Sequence, residues 1–302
     1  MRPARATRLG DMTATPIRVA VVGAGPWARE THIPALSAHP GVELVGVWTR
    51  RPEAADDLPV PRFESIEAML EGCDAVSFAV PPDAQAPLAV AAADAGKHLI
   101  LDKPIAGTVE GAEAIVAAVR AADVRSIVTF TRRYAPETRA FVDAAQAGRY
   151  AGGLGRWISG SLLGGRYSSS QWRQDGGALL DVGPHVIDLL DATLGSITKV
   201  IDARVIADDD LWHLTFGHTG GATSTAQLSL RVPARPTVTE FSVHGPDGVV
   251  TLTDRTTGSV ECFTTLVDEL LTAIATSTDH PLDAARGLHI QRIIAEVHRR
   301  VA

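Results

Sequence analysis

An apolar strand that runs straight into a glycine-rich turn constrains this chain more than any other feature. Residues 17–22 are followed at once by Gly23-Ala24-Gly25-Pro26-Trp27-Ala28, and what comes next reads as a helix. In such a strand–turn–helix unit the first glycine permits the tight turn, and the second lets backbone approach a pyrophosphate. The helix N-terminus adds unpaired amides and the positive end of its dipole. Ala28 takes the place of a third glycine and is still small enough for close helix packing. The placement matters more than the letters, because it fixes what the turn can face. A dinucleotide site built on Gly23, Gly25, Pro26, Trp27 and Ala28 is expected.

Two grammars surround that turn. From residue 17 to 128, short apolar strands alternate with alanine-rich helices, the pattern of a parallel sheet with crossover helices. The strands read as 17–22, 43–48, 75–79, 98–101 and 126–130, with helices at 84–95 and 109–122. From Leu154 the strands become rich in Thr, Val, Ser and Ile, at 155–162, 198–206, 211–217, 222–232 and 237–243. Turn signals such as Gly220-Gly221 and Pro246-Asp247-Gly248 separate them, as in antiparallel pairs. A helix around 181–194 interrupts the run, and two more follow Cys262. The expected fold is α/β: an N-terminal Rossmann dinucleotide-binding domain over 17–128, then an α/β domain over 129–302 with an open, mainly antiparallel sheet. Residues 1–16 read as a disordered tail, with Met12 an alternative start to Met1.

Composition excludes several classes. A net charge of −7 disfavours a nucleic-acid partner. Cys73 and Cys262 lie far apart with no CxxC or Cys/His spacing, which indicates neither a disulfide framework nor a metal site. No apolar stretch is long enough to span a bilayer, and the arginines near the start flank no signal-peptide core. A cytoplasmic protein without a membrane partner is expected.

The basic residues are unevenly chosen. Of the 28, only Lys97, Lys103 and Lys199 are lysines, and two of these bracket the apolar run His98–Leu101. An ammonium can share or lose a proton when desolvated, whereas a guanidinium stays charged. A lysine where a strand ends therefore hints at proton chemistry. After the second strand the sequence reads Trp48-Thr49-Arg50-Arg51, with no acid until Glu53. An NAD binder usually places Asp or Glu there for the ribose 2′-hydroxyl. Thr49, Arg50 and Arg51 suit a 2′-phosphate instead, since arginine grips phosphate in bidentate fashion. NADP(H) is the expected preference and NAD(H) the alternative.

Three stretches together resemble the glucose-fructose oxidoreductase / inositol dehydrogenase (Gfo/Idh/MocA) family: GAGPWA at 23–28, AGKHLILDKP at 95–104, and GGALLDVGPHVID at 176–188. The closing stretch DAARGL at 283–288 is similar too. The resemblance implies reversible oxidation of a hydroxyl on a sugar, cyclitol or related small molecule. It also implies a homodimer or homotetramer formed through the second-domain sheet. Pro81, Asp102, Lys103 and Pro104 are then expected near the cofactor, with a cis Lys103–Pro104 bond. Asp102 departs from the family's usual Glu, and Pro81-Pro82-Asp83-Ala84-Gln85 lacks the family's common Asn and His.

Asp181 and His185 are spaced to share one helix face, and by the resemblance that face meets Lys103 beside the nicotinamide. His185 is the natural proton carrier, because an imidazole's ordinary pKa lies close to working pH. Lys103 would hold the substrate oxygen, or carry the proton itself, and Asp181 would orient the substrate or tune its neighbours. Arg133 and Tyr134 match the family's Arg-aromatic pair, and Trp172 and Arg173 are further candidates for sugar contact. Two other functions on the same fold stay open: a nicotinamide-dependent glycosidase, and a non-catalytic nucleotide-sensing regulator.

Overall fold

The first half of the chain supplies five strands whose residues are apolar on both faces, which suits a sheet covered by helices on each side. In the computed structural model, which describes residues 15–165, 167–252 and 256–301, these strands pair in parallel. They are β1 (Ile17–Val22), β2 (Val42–Trp48), β3 (Ala75–Phe78), β4 (His98–Leu101) and β5 (Ser126–Val128), in the order β2-β1-β3-β4-β5. Because β1 lies between β2 and β3, successive crossovers leave in opposite directions and open a crevice at the carboxyl ends of β1 and β3. Helices α1 (Ile33–Ala38), α2 (Ile66–Gly72), α3 (Pro82–Asp94) and α4 (Val109–Ala121) make the connections. Side-chain caps start two of them: Ser65 accepts from the Ala68 amide and Thr108 from the Gly111 amide.

The second sheet contains β6 (Gly152–Ile158), β7 (Ile197–Ile206), β8 (Leu211–His218), β9 (Thr223–Ser229), β10 (Val238–Gly245) and β11 (Gly248–Leu252). Its order is β11-β10-β6-β9-β8-β7, antiparallel except for the β6–β9 pair. One face is covered by α5 (Pro136–Ala147), α6 (Gln171–Asp181) and α7 (Gly183–Leu194). Glycines on β6 let α7 come close: a Cβ on Gly155 would meet Val186 at 2.6 Å. The other face is open, and there Arg156 pairs with Glu240 across the strands.

Helices α8 (Ser259–Thr276) and α9 (Ala284–Val301) close the chain. The sequence reading places them with the second domain, yet both return to the parallel sheet. Asp268 on α8 accepts from His39, the Val128 amide donates to Leu282 O at 2.7 Å, and the Ala284 amide donates to Ser126 Oγ. On its other side α9 packs against β7, so it straddles both halves.

Several expectations are corrected here. The strand expected at 155–162 starts three residues earlier and stops at Ile158. The helix expected at 181–194 is two helices, with Asp181 ending α6 and α7 beginning at Gly183. Strand β11 and helices α2, α5 and most of α6 were not anticipated. Most of the tail expected at 1–16, including Met12, lies outside the described residues. Among the described residues no helix is long and apolar enough to cross a membrane.

Candidate active site

The parallel strands end at one edge, where loops after β1, β4 and β5 meet α6, α7 and the start of α8 around a cleft of about 670 Å³. Trp27, Asp102, Lys103 and Arg132 line one wall. Trp157, Arg173, Asp181 and His185 line the other.

The glycine turn sits at the crevice. Gly23 has φ +114°, and a Cβ there would lie 2.4 Å from the Ala79 carbonyl oxygen at the end of β3, so only glycine fits. Gly25 is the opposite case: its Cβ would meet nothing within 4 Å, leaving open space over the backbone. Ala28 is fully buried. The following turn, Ala28–His32, is π-helical before α1 begins, a local widening common near functional sites. Arg29 braces it. Its Nε donates to Ala24 O at 2.9 Å, and its Nη2 donates to Ala54 O and Asp57 beyond β2. The Gly23 amide donates to Trp48 O, which places Thr49, Arg50 and Arg51 beside the turn. Arg50 and Arg51 are exposed and have no ion-pair partner among the described residues. Pro81 is the N-cap residue of α3, next to the turn. An open cradle over Gly25 and a basic loop beside the turn fit a dinucleotide. Beneath, His32 is buried against Ser77 Oγ at 2.9 Å, and burial pushes its pKa down to about 3.

At the other end of the cleft the work falls to charged side chains. A buried Gln85 straps the loop after β4. Its Nε2 donates to Asp102 O and Ile105 O at 2.8 and 2.9 Å, and its Oε1 accepts from the Asp102 amide. Between those anchors lies the cis Lys103–Pro104 bond. Lys103 Nζ donates to Asp181 Oδ1 at 2.8 Å and to the Asp181 carbonyl, which occupies two of its three protons. Arg173 Nε holds the other carboxylate oxygen at 3.2 Å. Burial pushes Asp181 up, but the Lys103 and Arg173 charges outweigh it and hold the carboxyl below its ordinary range. Asp102 goes the other way, raised by burial against the partial relief of Lys103 and Thr129. Its Oδ1 accepts from the Lys103 amide and from Thr129 Oγ1 at 2.9 and 2.5 Å.

Asp181 and His185 share the cleft, although not through one helix face. Gly177 breaks α6 at φ 56°, where a Cβ would strike Asp210, and Asp210 Oδ2 accepts from the Ala178 amide at 2.7 Å. Asp181 ends α6, and Pro184, with no amide hydrogen, lies in the first turn of α7. The His185 ring stacks on Trp157 with centroids 5.8 Å apart, and its Nδ1 is buried without a partner among the described residues. Burial, then the Lys103 charge, pushes its pKa well below 6.5. Burial thus disfavours the charged imidazole, which corrects the expectation of an ordinary pKa near working pH.

Other candidates fall outside the cleft wall. Arg133 turns away to pair with buried Asp188 at 2.9 Å. Tyr134 is buried, its hydroxyl donating to Val128 O. Pro104 packs below the cleft beside Ile290 and Ile294. Trp172 stacks on the Arg173 guanidinium at 4.5 Å and so serves that residue. Sequence reasoning missed Arg132, Gln85 and Arg29. Gln85 left a weak signal, as the one amide side chain in an alanine-rich helix. Arg132 left none: it lies in the 3₁₀ turn Thr131–Tyr134, where no periodicity tells which arginine faces inward.

Comparison with known proteins gives a consistent set. The model for an oxidoreductase family with an NAD-binding Rossmann fold matches residues 17–130, and that for the GFO/IDH/MocA C-terminal domain matches 150–251. Galactose 1-dehydrogenase of Pseudomonas fluorescens is 36% identical over 96 residues, which cover 31% of this chain and 31% of that protein. Levoglucosan dehydrogenase of Pseudarthrobacter phenanthrenivorans is 31% identical over 134 residues, covering 41% and 34%. The matched stretch thus spans about a third of the length of each of these relatives. The crystal structure of GenD2 from gentamicin A biosynthesis, in complex with NAD, superposes with a TM-score of 0.82 at 17% identity, covering 98% of this chain and 97% of that one. At that identity the likeness is one of fold.

Proposed function

Since the chain belongs to the Gfo/Idh/MocA family of oxidoreductases, we propose that it moves a hydride between a nicotinamide cofactor and a hydroxyl or ketone carbon of a sugar, cyclitol or similar small molecule. The observation that carries the reading is the Lys103 ammonium, fixed by Asp181 beside His185 at the strand ends. A bound nicotinamide would supply or accept the hydride. Gly23, Gly25 and Trp27 would hold its nucleotide, and exposed Arg50 and Arg51 support a preference for NADP(H).

The chain's own residues handle the proton. Two protons of Lys103 Nζ are committed to Asp181, so the third is free for a substrate oxygen. In the reductive direction Nζ donates it as negative charge grows on that oxygen. Asp181, ionised and gripped by Arg173, keeps the ammonium aimed while the charge moves. The neutral His185 ring adds a hydrogen-bonding group and a stacked wall without competing charge. These side chains favour an enzyme over a nucleotide-sensing regulator. The open sheet face, with exposed Ile201 and Ile206 on β7, supports pairing of subunits there.

The test is nicotinamide absorbance on mixing purified protein and NADPH or NADH with keto-sugars and cyclitol ketones, and the oxidised cofactors with polyols. Net oxidation or reduction is expected. Glycoside cleavage with no net redox change would instead identify the glycosidase reading.

A further inference from the structure

One charge in the cleft has no counterpart. Lys103 and Arg173 share Asp181, while Arg132 in the same cleft pairs with no carboxylate among the described residues. Its one hydrogen bond there is a long one, 3.4 Å from Nη1 to the Thr257 carbonyl. The nearby acid, Glu137, is already taken by the Thr256 and Thr257 amides and the Thr257 hydroxyl. Burial works against this guanidinium's charge, with only weak relief from Cys262 and Glu137.

Its surroundings add positive potential. The 18-residue helix α8 begins at Ser259, and Ser259 and Val260 line the cleft with Arg132. Amides in that first turn lack intrahelical acceptors and carry the positive end of the helix dipole. The Ser259 and Thr237 side-chain hydroxyls are donors lining the same cleft, with no protein partner among the described residues. A half-buried guanidinium beside a helix N-terminus is unfavourable until an anion lies between them. Trp157 and His185 stand alongside, so a ligand reaching Arg132 also reaches the Lys103 centre.

We propose that Arg132 determines specificity by receiving an anionic substituent, a carboxylate or a phosphate, on the polyol or sugar whose carbon is oxidised or reduced. The inference rests on the oxidoreductase reading above and narrows its substrate class to anionic sugars and hydroxy acids. Arginine suits the role because its planar fork matches both groups in bidentate fashion. Substrate anchored there presents its reacting oxygen to Lys103, while the anion offsets the positive field.

Matched pairs test this: galactose against galacturonate, and glucose against glucose 6-phosphate, each with wild type, Arg132→Gln and Arg132→Lys. In wild type, kcat/KM for an anionic member should exceed that of its neutral partner by at least about tenfold. The uronate and phosphate arms tell which anion is meant. Arg132→Gln should collapse the ratio, chiefly through KM, and Arg132→Lys should restore part of it. Titration of each variant with NADPH confirms folding and separates cofactor effects. Equal use of charged and neutral partners, unchanged by Arg132→Gln, would overturn the inference and leave the oxidoreductase reading standing. Loss of NADPH binding in both variants would overturn it too, by assigning Arg132 to the cofactor. If nothing turns over, titration of NADPH-loaded protein with galacturonate and glucose 6-phosphate decides. Binding abolished in Arg132→Gln supports the anion site although the redox reading has failed, and no binding rejects both.

Discussion

The two ends of the cleft solve their problems with different material. At the glycine turn the recognition surface is backbone: Gly23 is forced by the Ala79 carbonyl 2.4 Å from where a Cβ would sit, and Gly25 leaves space. At the Lys103 end it is charge: an ammonium, a guanidinium and a carboxylate held within 3.2 Å contacts and mostly out of water. Backbone sites fail sterically and all at once. Charged sites fail electrostatically, and the partner left behind bears the cost. Substitutions at one end should therefore remove binding, and at the other chemistry.

The largest effect is expected from Lys103→Met, which removes the proton donor and strands Asp181 between Arg173 and an apolar chain. Single-turnover hydride transfer should fall by about a thousandfold. Gly25→Val sharpens the contrast, since its side chain enters open space and leaves the melting temperature near that of wild type. Nicotinamide nucleotide affinity should nevertheless drop by about a hundredfold, as the branched side chain fills the cradle. Gly23→Ala should lose binding and also about 1–3 kcal/mol of stability, because its φ of +114° strains any other residue.

A smaller change is expected at the edge of the backbone site, where side chains begin to matter. Thr49→Asp with Arg50→Ser should shift the ratio of NADPH to NADH dissociation constants toward NADH by about tenfold. An unmoved ratio would demote both arginines to solvated loop charges. The effect most remote from binding and chemistry concerns the buried ring under the turn. His32 titrates near 3 when folded and about 6.5 when unfolded. The unfolded chain alone binds that proton between those values, so stability falls as pH drops through the window, by about 1.4 kcal/mol per unit. Denaturant unfolding at pH 4 to 6.5 should show His32→Asn with a shallower slope by that amount.

Those two ends also differ in how far the sequence reveals them. Buried parallel strands are continuous apolar runs, and a glycine turn between strand and helix is local. Hence β1, β4 and the turn at residues 23–28 were legible residue by residue. The charged end is assembled from four separate elements, and its details depend on tertiary packing. The Asp181–His185 spacing suggested one helix face, yet α6 ends at Asp181 and α7 begins after Val182, with Pro184 in its first turn. Lys103 was singled out by its rarity as a lysine, but nothing local showed that Gln85, 18 residues earlier, clamps its loop. Arg133 was singled out with Tyr134, whereas Arg132 lines the cleft and Arg133 pairs with Asp188, because a 3₁₀ turn points neighbours in different directions.

The division of labour is tested most directly by titrating wild type, Lys103→Met and Gly25→Val with NADPH and NADH, followed by energy transfer from tryptophan, of which Trp27 lines the cleft. Wild type and Lys103→Met should bind with similar affinity, NADPH more tightly than NADH, while Gly25→Val should bind neither well. Normal binding by Gly25→Val, or equal loss in Lys103→Met, would contradict a backbone-built nucleotide site set apart from a charged centre for proton transfer.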